Sequence, residues 1–218
     1  MQMPRFLSSL NQHEGICSHF IGRVQGIELS LDKDEALARL QPVHEYEVCN
    51  LGFSWGQLHL AEQVHGSSIA AVTAQDVHQV GANVDGLITS DMGALLGIYV
   101  ADCGAVYLHD PVKRVVGLLH SGKKGTEGNI TGKAIEMMQG EYGSLPADIE
   151  VVLSPCIKPP FYELDFGADI RHQALNAGVL DRNYKDAGIC TAKNVEAYYS
   201  YRLEKGKTGR MLALLGML

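Results

Sequence analysis

Apolar residues along this chain fall into short blocks separated by glycine, proline and charged positions. Leu95-Leu-Gly-Ile-Tyr-Val-Ala101 is almost unbroken, the pattern of a strand covered on both faces. It runs out at Asp102-Cys103. Ala105–His109 predicts a second strand, stopped by Asp110-Pro111. Val112-Lys-Arg114 reads as a turn, and Val115–Leu119 as a third strand ending at His120. Shorter β-rich blocks over 57–64, Ser67–Thr73 and Gly86–Thr89 precede this group; Asp148–Leu153 and Met211–Leu215 follow it. Helical spacing is sparser. Residues 32–41 put Ala36, Leu37 and Leu40 on one face, and Pro42 is expected to end that helix. Ile130, Ala134, Ile135, Met137 and Met138 predict a helix reaching Gly140. Residues 166–180 and 192–205 are also expected to be helical, the second packing through Tyr198, Tyr199 and Tyr201. Strands are interspersed with helices without a clean βαβ alternation, and a link as short as Pro111–Arg114 favours antiparallel pairing. The expected fold is α+β (mixed α/β), a single domain over 1–218 with a mixed sheet core flanked by helices.

Size and composition narrow the class. A chain of 218 residues buries roughly 70% of its unfolded surface and folds without disulfides. Its five cysteines are odd in number, widely spaced and lack a C-x-x-C pair, which points to a reducing compartment. Met1–Leu10 has no long apolar core of a signal peptide, and no apolar stretch reaches the length of about 18 residues that marks a membrane helix. The expectation is a soluble cytoplasmic protein. A net charge of −7 without a basic run argues against binding the nucleic-acid backbone.

Three short motifs carry the candidate chemistry. His65 lies in Gln63-Val-His-Gly66, Cys103 in Ala101-Asp-Cys103, and His120 in Leu118-Leu-His-Ser-Gly122. Two imidazoles and one thiol are one ligand short of a closed tetrahedral zinc site, and a vacant fourth position is how catalytic zinc is held. The same Cys and His also suit a nucleophile–base pair without metal. His13, His19, His44, His59, His78, His109 and His172 are expected to be incidental, as are Cys17 and Cys49. Asp85 reads as a turn cap. Lys123 and Lys124, in a glycine-bearing loop ahead of a helix, fit either a solvated loop or an anion site. The H-E-x-x-H, P-loop and G-x-G-x-x-G patterns are absent, as is the zinc-deaminase signature.

These words, with others in register, resemble the YfiH-type family. That family is described both as multicopper polyphenol oxidase or laccase-domain proteins and as purine nucleoside phosphorylases with adenosine deaminase activity. The matching words are Gln63-Val-His-Gly66, Asp85-Gly-Leu-Ile-Thr89, Ala101-Asp-Cys103, Asp110-Pro111, His120-Ser-Gly122 with Gly125-Thr126, Pro155 to Tyr162-Glu163, Cys190-Thr191, Ser200-Tyr-Arg202 and Thr208-Gly-Arg210. The resemblance implies zinc, in preference to copper, held by His65, Cys103 and His120. It implies a nucleoside and phosphate as small-molecule partners, with no nucleic acid or membrane, and leaves a homo-oligomer open. Asp102 would orient a ligand histidine or shuttle a proton beside Cys103 and His120. Lys124, with Arg23 in Ile21-Gly-Arg23, would neutralise phosphate. The chain departs from the family where Trp-Arg becomes Lys123-Lys124, since lysine lacks the planar fork that grips phosphate. It also departs at Ala105, where the family has proline, and in the loop Cys156–Phe161. The competing expectations are a cysteine amidohydrolase using Cys103 and His120, a copper oxidase, for which the chain offers too few ligand clusters, and a diverged paralogue without activity.

Overall fold

The computed structural model describes residues 4–76 and 80–218; His78 lies outside them. In chain order the elements are β1 (Ile16–Ile21), α1 (Lys33–Asn50), β2 (Leu58–Ala61), β3 (Ile69–Ala71), β4 (Val80–Gly81), β5 (Gly86–Thr89), β6 (Leu95–Val100), β7 (Gly104–Asp110) and β8 (Val115–Ser121). They continue with α2 (Lys123–Glu127), α3 (Ile130–Tyr142), β9 (Glu150–Leu153), α4 (Phe166–Asn176), β10 (Tyr184–Asp186) and β11 (Met211–Met217). The strands form two mixed sheets, ordered β1-β11-β6-β2-β4 and β10-β9-β7-β8-β5-β3. The α+β architecture expected from the sequence is the one observed.

Alternation along the central strands explains why their sequences are apolar throughout. Leu96, Ile98 and Val100 of β6 and Ala213 and Leu215 of β11 share one core with Tyr107 of β7 and Val116 and Leu118 of β8. That core lies between the sheets. The opposite residues of β7 and β8, Val106, Leu108, Val115 and Leu119, pack with Ile135 and Met138 of α3 and Ile170 of α4. On the outer face of the five-stranded sheet, Leu95, Tyr99, Leu212 and Leu214 pack with Val48 of α1. Each central strand is therefore buried on both sides, so its burial carries no period of two.

The β7–β8 pair is the antiparallel hairpin that its short link predicts. Asp110 stops β7 by accepting from the Val112 and Lys113 amides at 2.8 and 3.0 Å, and Arg114 turns the chain with φ +55°. Three helical expectations need correction. α1 continues through Pro42 to Asn50 because Ala36, Leu40, His44 and Val48 keep one buried face at four-residue spacing. The helix from 166 stops at Asn176, ahead of Gly178 at φ +99°. Residues 192–205 form no α-helix: the 3-10 turn Thr191–Lys193 gives way to irregular turns, for a reason that emerges at the site. No helix among the described residues is long and apolar enough to cross a membrane.

Candidate active site

Two chain crossings between the sheets build this site. The segment joining β2 to β3 carries His65, and the segment joining β6 to β7 carries Cys103. His120 is the penultimate residue of β8, and the hairpin register sets it opposite Ala105. The sequence placed the thiol and the second imidazole at strand ends; the structure gathers them with His65. One ligand atom from each of the three lies within 4.8 Å of the others, and the two imidazoles meet edge to face at 4.8 Å between centroids.

Backbone constraints hold the three together. Gly122 follows β8 and passes so close that an added Cβ would stand 2.7 Å from the Cys103 sulfur. Gln63 and His65 both have φ near +60°, a costly conformation that a surrounding structure must impose. Gln63 is fixed as a surrogate strand: its amide nitrogen donates to the Tyr99 carbonyl, 2.6 Å, and its oxygen accepts from the Tyr99 amide, 2.9 Å.

Asp85, which the sequence marked only as a turn cap, is the main support. Fully buried, its carboxylate accepts from the His65 and Gly66 amides at 2.9 and 2.7 Å and from His120 Nδ1 at 2.7 Å. His120 Nε2 is left for Cys103 or an ion, the arrangement in which a carboxylate fixes the tautomer of a ligand histidine. Asp102, on the lining of the cavity beside Cys103, also gathers a remote segment. Its two oxygens accept from Thr191 Oγ1 (2.6 Å), Ser200 Oγ (3.0 Å) and the Arg202 amide (2.7 Å). These bonds pin residues 191–202 against the Cys103 segment and account for turns where tyrosine spacing suggested a helix.

A cavity of about 560 Å³ opens over Cys103 and His120. Four cationic side chains line it, Lys33, Lys123, Arg202 and Arg210, in a protein of net charge −7. Lys123 and Arg202 share Glu163 at 3.6 and 3.8 Å. Arg210 has no carboxylate partner among the described residues, and donates to the Gly209 carbonyl. Tyr162 and Phe166 form an aromatic wall, 5.3 Å between centroids. The two cations chosen from sequence lie elsewhere. Lys124 is exposed outside the cavity lining. Arg23 stacks on Tyr199 at 4.4 Å and pairs with Glu204 at 2.5 Å, bracing the segment where Gly209 packs on the same ring. Arg202 and Arg210 were present in the words Ser200-Tyr-Arg202 and Thr208-Gly-Arg210, yet nothing local to either word reveals a cavity.

Electrostatics favour the charged thiol. Burial pushes Cys103 up, but the imidazoles of His120 and His65 together outweigh it and bring the thiol down to about 6. Burial pushes His120 down, but Cys103 and the Asp85 carboxylate raise it to about 9. A thiolate–imidazolium pair thus exists between those values in metal-free protein, and the thiolate is lost as pH falls through about 6. Alkylation of Cys103 in chelator-treated protein, followed site by site by mass spectrometry, is expected to reach half its maximal rate near pH 6, and to move toward the ordinary thiol value of 9.0 in His120→Ala. A wild-type midpoint at the ordinary value would refute the pairing.

Fold and site together define a mixed α+β protein with a Cys-His-His cluster at the foot of a cation-lined cavity. The chain belongs to the family described as multi-copper polyphenol oxidoreductase laccase, whose model matches residues 22–172 and 162–218. It is similar to the purine nucleoside phosphorylase YlmD of Geobacillus stearothermophilus, 29% identical over 88% of this chain and 82% of that one. A purine nucleoside phosphorylase of Deinococcus radiodurans is 32% identical over 77% of this chain and 73% of its own. The crystal structure of Geobacillus stearothermophilus YlmD superposes with a TM-score of 0.82 at 28% identity, covering 93% of this chain and 92% of that chain.

Proposed function

We propose that this protein is a zinc-dependent purine nucleoside phosphorylase, with adenosine deamination as a second reaction of the same centre. The observation carrying this reading is the convergence of His65, Cys103 and His120 beneath the cation-lined cavity; the names of the relatives supply the substrate class. The donor set fits zinc: two imidazoles and a thiol already drawn toward its ligand form, with Asp85 holding His120 in one tautomer. Held by His65, Cys103 and His120, zinc would supply Lewis acidity. The chain's own residues do the rest. Arg210, with Lys123 and Arg202, holds the phosphate dianion, and Tyr162 and Phe166 take the purine face. In phosphorolysis an oxygen of hydrogen phosphate bonds to ribose C1′ as the C1′–N bond breaks, and the base leaves with that electron pair and takes up the proton that the phosphate gives up. In deamination water adds at C6 of adenosine and ammonia leaves.

Inosine and adenosine turnover with and without phosphate, alongside the zinc content of the purified protein, tests this reading. Turnover that is unchanged after complete zinc removal would reject it. Arg210→Ala is expected to raise the KM for phosphate about 10–100-fold, as loss of a charged hydrogen bond of ~1.5–3 kcal/mol implies. Deamination, which uses no phosphate, should keep its rate. Equal loss of both would mean that Arg210 supports the fold or the ion instead.

A second reading follows from the Cys103–His120–Asp85 sequence of contacts, which is also that of a nucleophile, its base and an orienting carboxylate. There His65 is peripheral, and His65→Ala would retain amide hydrolysis.

A further inference from the structure

Far from the cavity, a second group of ligating side chains closes around a buried histidine. His109 of β7 and Glu150 of β9 are register partners on neighbouring strands, so their side chains leave the same face of the sheet. His13, in the segment between the N-terminal turns and β1, reaches over to them. Its Nε2 stands 2.5 Å from Glu150 Oε1, and its ring meets that of His109 edge on at 4.6 Å. One ligand atom from each of His13, His109 and Glu150 lies within 4.8 Å of the other two. His109 is only 2% exposed, and its Nδ1 has no hydrogen-bond partner. A buried imidazole with an unmet nitrogen carries a desolvation cost that a ligand would relieve.

We propose that His13, His109 and Glu150 form a second site for a divalent first-row transition ion. Two imidazoles and a carboxylate are a donor set that zinc and its neighbours accept with one position left to solvent. His13 and Glu150 are 32% and 18% exposed at their side chains, so an ion enters from the surface and the fourth position faces water. Binding spreads His13 and Glu150, because two ligands on one ion at ~2.1 Å each sit farther apart than a hydrogen bond. Burial presses His109 down to about 4, which keeps its ring in the neutral, ligating form. The site stands at the opposite end of β7 from Cys103, about 20 Å away at the rise of an extended strand, and is independent of the chemistry proposed for the cavity. Its ion would fasten the segment preceding β1, in one sheet, to β7 and β9 in the other.

The test uses zinc and cobalt on the full chain with the first site disabled by His65→Ala and Cys103→Ser together. This variant is expected to bind one zinc per chain in equilibrium dialysis. Its cobalt complex should lack a thiolate charge-transfer band, and saturating zinc should raise its thermal midpoint by about 5 °C. Adding His13→Ala, a surface change that leaves the strands intact, should abolish all three; Glu150→Gln should weaken zinc binding at least tenfold. No zinc bound by the disabled variant, or zinc bound equally with and without His13, would overturn the proposal.

Discussion

Serine in place of Cys103 is expected to abolish zinc retention and nucleoside turnover together. A serine hydroxyl does not ionise near neutrality, so it replaces a thiol drawn down to about 6 with a weak neutral donor. The effect on metal affinity should exceed the about 10–100-fold that follows loss of a mere outer hydrogen-bond partner. Because Cys103 sits on a connection and not in the centre of a strand, the fold should survive, and far-ultraviolet circular dichroism with denaturant titration would show that it does. Dialysis against a metal buffer reads the affinity; phosphate-dependent release of hypoxanthine from inosine reads the activity. Turnover at the wild-type rate in the serine variant would remove the thiol from the reaction.

The second large effect is expected at Asp85. Its carboxylate serves three donors, with Oδ1 shared by the His65 amide and His120 Nδ1 and Oδ2 given to Gly66. In Asp85→Asn only one oxygen remains. Wherever it points, the new NH₂ faces a buried N–H, at a cost of about 1–3 kcal/mol. The negative charge that helps raise His120 disappears as well, which weakens the thiolate next to it. Zinc affinity should fall about 10–100-fold, and the alkylation midpoint of Cys103 should move up from its wild-type value. Unchanged affinity in a folded variant would return Asp85 to the turn-capping role that its sequence position suggested.

The central strands were legible because continuous apolar runs have few other interpretations at that length, and the hairpin because four residues cannot carry a crossover. The ends of α1 were not. Proline argued for a stop, while Leu40, His44 and Val48 continued the buried face beyond it, and tertiary burial outweighed the local penalty. Residues 192–205 misled for the opposite reason. Their tyrosine spacing is helical, but Asp102, about a hundred positions upstream, collects Ser200 and the Arg202 amide. A motif displays its glycine and its ligand, not the remote partner that each contact requires. For that reason the words around 65, 103 and 120 are visible as words, whereas the cations on the cavity wall are not: Arg210 reaches the cavity from a segment that only the finished fold brings there.

His65 and Cys103 each ride a stretch of chain that leaves one sheet for the other, while His120 belongs wholly to the six-stranded layer. The cluster is consequently a gauge of how the layers align. Gln63 ties the first connection to Tyr99 in one layer, and Asp85 ties it to the other through the His65 and Gly66 amides, so a slide of one slab across its neighbour would load these bonds and, with them, the centre they hold.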